Sequence, residues 1–142
     1  MISKSTLHPL ARFVTREAIA LLLKRQPEQI YRIDCWRRVI HVVAEGISTF
    51  VSYADIPPIL GVDPPSDIDF AYWHRRWKKN NEKLAPEFWV EFYAKKFQQA
   101  VSVRDLFNWG KLIGMVKSAF AAESLQGLRN FYAKEKWAWD NF

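Results

Sequence analysis

The chain has one cysteine, Cys35, so it can close no internal disulfide and cannot build a thiolate zinc site alone. Its five glycines (46, 61, 110, 114 and 127) form neither a G-x-G-x-x-G turn nor a Walker A loop, which excludes phosphate cradles of those two types. The histidines at 8, 41 and 74 lie far apart, none with another histidine or a cysteine at i+3 or i+4, so no metal is expected. Gly46-Ile-Ser48-Thr-Phe50 lacks the second glycine of a nucleophile elbow, and no acid is followed two residues later by lysine, so a Glu-x-Lys nuclease pair is also missing. No apolar run exceeds Ala18–Leu23, which Glu17 and Lys24 flank, far short of the roughly 18 residues that signal a membrane span. Met1–Pro9 lacks the charged-then-apolar layout of a secretory signal, and the expected location is the cytoplasm. These absences favour a non-enzymatic protein with no cofactor, no small-molecule substrate and no membrane partner.

Two surpluses stand out. The first is positive charge: 21 Lys and Arg against 15 Asp and Glu leave a net +6, with the excess concentrated in residues 71–142. The second is aromatic: 7 Trp, 5 Tyr and 10 Phe, enough rings to serve as core, stacking platform and partner anchor together. With 142 residues, 49% hydrophobic and 25% charged, the chain has the length and make-up of one globular domain spanning 1–142.

Pro9 suits a helix first turn, and Leu10, Phe13, Val14, Ala18, Leu21 and Leu22 follow at steps of three and four, predicting a helix over 9–25 that Pro27 stops. Residues 30–55 read as a two-stranded hairpin: β-branched residues from Ile30 to Val43, a Glu45-Gly46 turn, then Thr49–Tyr53. The alternative is a helix capped by Asp34 and ended at Gly46, which would make the fold all-α. Residues 57–66 hold Pro57, Pro58, Pro64 and Pro65 and form a stiff joint between an α-plus-hairpin half (1–56) and a helical half (67–142). In that second half, apolar spacing predicts helices over 67–80, 86–100 and 103–122, and a fifth capped by Ser124. The fold class expected is α+β, mostly helical: one N-terminal helix, a small hairpin, a proline-rich joint and four C-terminal helices.

The densest cationic stretch is Tyr72-Trp73-His74-Arg75-Arg76-Trp77-Lys78-Lys79, where Glu82 is the nearest following acid. On a helix Trp73 and Trp77 stack at i and i+4 on the core side while the basic residues fan over the rest, an arrangement suited to phosphates. Nucleic acid is therefore the expected partner, held by Arg75, Arg76, Lys78 and Lys79 and joined by Arg37, Arg38, Lys95 and Lys96. The alternative is a protein-interaction adaptor, or a homo-oligomer, anchored by Trp137, Trp139 and Phe142. The 86–100 and 103–122 helices weakly mimic a helix-turn-helix, with Arg104, Asn108 and Lys111 on the reading helix, though the turn lacks its usual glycine. Asp67 and Asp69 before His74 are read as helix-start acids, and Cys35 as a small buried hydrophobe. Gly110 and Gly114 sit mid-helix at a cost, so a ring from another helix is expected to press on that face.

Overall fold

The computed structural model describes residues 7–79 and 84–142, with the Lys79 side chain excluded. The fold is α+β and mostly helical. Among the described residues it comprises α1 (Arg16–Leu23), β1 (Ile30–Cys35), β2 (Ile40–Ala44), β3 (Ile47–Val51), α2 (Asp67–Lys79), α3 (Phe88–Gln99), α4 (Val103–Met115) and α5 (Ala122–Asn141), with short 3₁₀ turns between. No helix among them is long and apolar enough to cross a membrane.

The first predicted helix is in fact two pieces. Pro9–Phe13 is a 3₁₀ turn, Val14 and Thr15 are extended, and Thr15 then caps α1 by accepting the Ala18 N–H. A threonine able to satisfy a free helix-start N–H offers the chain a new start, which the continuous apolar spacing concealed.

The β region has three strands rather than two, antiparallel in the order β1-β2-β3. The apolar run 30–43 doubles back at Arg37-Arg38, with Cys35 opposite Ile40 and the Trp36 N–H bonded to the Val39 carbonyl. Neither arginine has a positive φ, which left no glycine or asparagine as a turn signal. The second turn falls at Glu45-Gly46 as expected, Gly46 supplying φ +74°. Ile40, Val42, Ala44 and Val51 point into the core, while His41, Val43, Ser48 and Phe50 alternate onto the solvent face.

α2 and α3 match expectation to within two residues, and position 80, where the 67–80 helix was expected to end, lies outside the described residues. α4 ends earlier than expected, at Met115, yet Leu106, Trp109, Ile113, Val116 and Phe120 are all buried. α5 starts at Ala122, placing Ser124 inside the first turn instead of at the cap.

The core draws on both sides of the proline-rich segment. Trp73 and Trp77 stack in parallel, 6.1 Å between centroids, and Trp89 meets both edge-on. The segment itself lies in no helix or strand, so its carbonyls need donors from elsewhere. Trp89 Nε1 donates to the carbonyl of Asp55, in the 3₁₀ turn just before the segment (2.9 Å), and the buried Tyr93 hydroxyl to that of Pro58 within it (2.7 Å). Arg12 donates to the carbonyls of Asp63 (3.0 Å) and Pro64 (3.0 Å). Its guanidinium also grips the fully buried Asp69 carboxylate with both Nη1 and Nη2 while lying 4.1 Å above the Phe13 ring.

Asp69 in turn accepts the Ser66 N–H (2.8 Å), one half of a capping box at the start of α2. The helix-start reading of Asp69 is therefore right but incomplete. Asp69→Ala should cost about 3–5 kcal/mol in urea unfolding, because it leaves a largely buried guanidinium unpaired. Lys136→Ala, which breaks an exposed pair with Asp140, should cost under about 1 kcal/mol.

Gly110 meets the expected ring: a Cβ there would stand 2.7 Å from Tyr132 Cε2 on α5, whereas nothing lies within 4 Å of one at Gly114. Gly110→Ala should therefore destabilise by about 1–3 kcal/mol through overpacking. Gly114→Ala, on an exposed position, should gain about 0.5–1 kcal/mol of helix propensity. Thermal melts of the two variants in parallel read this difference in sign.

Candidate functional site

Burying Trp73 and Trp77 fixes the rotation of α2 about its axis, and at 100° per residue this turns Tyr72, Arg75 and Arg76 away from the tryptophan core. Across from them stands the Arg37-Arg38 turn. Between the two lies a cleft of about 670 Å³, floored by His8, Pro9 and the 3₁₀ turn that begins at Tyr53. Arg37, Arg38, Arg75 and Arg76 all line it, and among the described residues no Asp or Glu does.

The four guanidiniums are not equivalent. Arg76 is half-buried and bonded to the Asp55 carboxylate through Nε (3.3 Å) and Nη2 (3.1 Å), whereas the sequence reading placed it on a freely exposed face. Asp55 is far from Arg76 in sequence, which is why that pairing escaped notice. Arg37, Arg38 and Arg75 are exposed and make no ion pair among the described residues.

The polar side chains of the floor are engaged with backbone. Ser52 Oγ accepts the Ala54 N–H (3.3 Å), and the Tyr53 hydroxyl donates to the Trp36 carbonyl. Burial, together with the neighbouring Cys35 thiol, pushes Tyr53 far above the ordinary tyrosine range. The His8 ring stacks on Tyr53 at 4.4 Å and contacts Tyr72 at 4.5 Å. Its Nδ1 accepts the Leu10 N–H (3.1 Å), which puts the proton of the neutral ring on Nε2. Burial lowers the His8 pKa, partly offset by the Asp69 carboxylate, which raises it. A neutral imidazole is also what the cap requires, since a protonated Nδ1 cannot accept.

The remaining sequence candidates lie elsewhere. Lys78 is exposed on α2 but does not line the cleft, and the side chain of Lys79 is outside the described residues. Lys95 lines a separate cleft of about 320 Å³ beside Glu17, Lys24 and Glu91. Lys96 pairs with Glu17 and sits 5.3 Å over the Phe92 ring and 5.6 Å over that of Trp109, a structural placement. Arg104, Asn108 and Lys111 do share an exposed face of α4. Trp137, Trp139 and Phe142 are exposed on the final turns of α5, Trp137 packing edge-on against Phe142. Cys35 is half-buried against the core, and burial raises its thiol above the ordinary range, so it is no poised thiolate. No group of three potential metal ligands occurs among the described residues. Sequence reasoning missed His8 and Tyr53: the His8-Pro9 pair signalled a helix start, but nothing local linked either ring to α2.

A histidine held neutral by the fold takes up its proton more readily once unfolded. Stability should therefore be complete above about pH 6.5, the ordinary value, and fall as pH drops through that value toward the lowered one. Melting temperatures between pH 7 and pH 5 should show this loss. His8→Asn, which keeps a capping oxygen but cannot titrate, should flatten that part of the profile.

Neither family models, nor curated proteins, nor solved structures match the chain.

Proposed function

We propose that this domain binds nucleic acid without catalysing a reaction on it, holding the phosphate backbone in the cleft between α2 and the Arg37-Arg38 turn. One observation carries the reading. Among the described residues, four arginines from two distant parts of the chain line one cleft that no acid lines, and three of them have no ion pair. Like charges gathered this way repel one another, and a bound polyanion relieves that repulsion. Guanidinium forks match phosphate oxygens in bidentate geometry, and release of condensed counterions adds a salt-dependent driving force. The absence of catalysis is supported by the floor. Ser52, Tyr53 and His8 Nδ1 are each committed to a backbone partner, which leaves no nucleophile paired with a base among them.

The adaptor reading keeps one specific observation, the exposed Trp137, Trp139 and Phe142 on α5. Salt separates the two, since an aromatic-anchored protein interface is far less salt-sensitive than a phosphate-binding one.

Arg37→Glu, Arg38→Glu and Arg75→Glu combined leave the Arg76–Asp55 pair and the tryptophan core in place. Stability should change by under about 1 kcal/mol for each exposed site. Affinity for an oligonucleotide in fluorescence anisotropy should collapse, and the slope of log affinity against log salt should flatten by about 0.7–0.9 for each phosphate no longer held. Lys95→Glu, outside the cleft, serves as the control and should have a far smaller effect. Absence of binding by the wild type at low salt, or equal binding by the triple variant, overturns the reading.

A further inference from the structure

The solvent face of the sheet carries an aromatic cluster that the core does not need. Trp36, directly after β1, is 49% exposed and Phe50 on β3 is 59% exposed. His41 on β2 lies between them in the register, opposite Phe50. Its ring stacks on Trp36 at 5.2 Å with planes 17° apart and contacts Phe50 at 5.2 Å, while Trp36 and Phe50 meet at 5.5 Å. His41 Nε2 is hydrogen-bonded to Ser48 Oγ (3.0 Å), and Asp34, 3.9 Å from His41 Nδ1, is paired with Arg32 at 2.8 Å. Single exposed rings need no explanation, but three in mutual contact on the water side of a sheet form a patch.

This patch and the arginine cleft share one turn. Arg37 and Arg38 follow Trp36 directly and line the cleft. The Tyr53 hydroxyl, reaching from the cleft floor, holds the Trp36 carbonyl. Phe50 precedes Ser52 and Tyr53, also in the cleft lining, by two and three residues. A strand whose phosphates lie against Arg37 and Arg38 therefore has ring faces immediately beside its bases.

We infer that the occupant is a single nucleic-acid strand, with bases stacked on Trp36 and Phe50 and its backbone in the cleft. The inference rests on the proposed nucleic-acid function and sharpens it. In a duplex each base face is covered by its neighbours, so only an unpaired strand can offer π-faces to these rings. Positive charge beside exposed aromatics is the complement of such a strand, and it favours this occupant over an apolar protein segment.

The test compares an oligothymidylate single strand with a blunt mixed-sequence duplex of equal length by anisotropy at low and moderate salt, using the whole chain. The wild type should prefer the single strand. Trp36→Ala and Phe50→Ala should each weaken single-strand binding by about 5- to 100-fold, leave duplex binding little changed and keep the salt slope. Trp36→Phe, which retains a stacking face, should recover part of the affinity, a rescue that a merely structural role for Trp36 would not give. Phe50→Ala, a truncation on the solvent face, stands as the second variant should Trp36→Ala disturb the turn, with circular dichroism checking both folds. Equal or stronger duplex binding by the wild type, or ring variants that lose both ligands in the same ratio, overturns the single-strand inference while leaving the cleft as a phosphate site. Binding of neither ligand at low salt removes the nucleic-acid function itself.

Discussion

The Arg12–Asp69 pair is the contact on which the arrangement of the other elements depends. Residues 57–66 form neither helix nor strand, and four of them are prolines without an N–H, so this stretch cannot organise itself by a backbone ladder. Arg12 supplies the missing order from outside, donating to two carbonyls of the stretch and to Asp69 beyond it. A guanidinium suits this task because its planar fork presents several fixed donors at once, where a lysine would offer one mobile point charge. Trp89 and Tyr93 add two more donors from α3, to carbonyls at Asp55 and Pro58. The start of α2 is thereby tied to the N-terminal 3₁₀ turn, and the two buried tryptophans then fix which way its arginines face. The function proposed for Arg75 thus depends on an ion pair that does not touch it.

How much of this was legible in the sequence follows from the range of each interaction. Helices α2 to α5 and their buried faces were readable because apolar spacing is local and the second half follows it faithfully. Gly110 was readable for the same reason, a costly residue in a regular pattern, although the ring pressing on it came from an unknown place. The break at Thr15 and the turn at Arg37-Arg38 were not, since each sits inside an apolar run that continues across it. Within a strand Arg37 and Arg38 would face opposite sides; as turn residues they line one cleft together.

The site itself was half visible. Charge density singled out the run on α2, and composition cannot tell a free arginine from one matched by an acid contributed from another element. Arg76 has Asp55 and Lys96 has Glu17, partners 21 and 79 positions away in sequence. Only the fold separates these structural cations from Arg37, Arg38 and Arg75. The same logic divides the rings: Trp73, Trp77 and Trp89 belong to the core, while Trp36, embedded in a run of β-branched residues, gave no hint that it stands in water.

The turn that borders the cleft has its backbone anchored on both sides, which bears on what the proposed site can select. Arg37 and Arg38 sit on a two-residue turn closed by the Trp36 N–H on one side and anchored through the Trp36 carbonyl by Tyr53 on the other. Tyr53 is itself stacked on His8, whose cap holds the 3₁₀ turn that carries Arg12. A turn with an anchored backbone loses less freedom on binding than a mobile loop, so under the proposed function more of the phosphate interaction survives as affinity. Trp36 and the backbone of Arg37 and Arg38 belong to that one anchored turn, so under the proposed function the spacing between this ring and the turn is set before a strand arrives. Phosphate contacts alone cannot distinguish one nucleic acid from another. In the proposed single-strand mode, rings set beside the charged turn add that distinction, because they suit a strand whose bases swing clear of its backbone and not one whose bases are already paired.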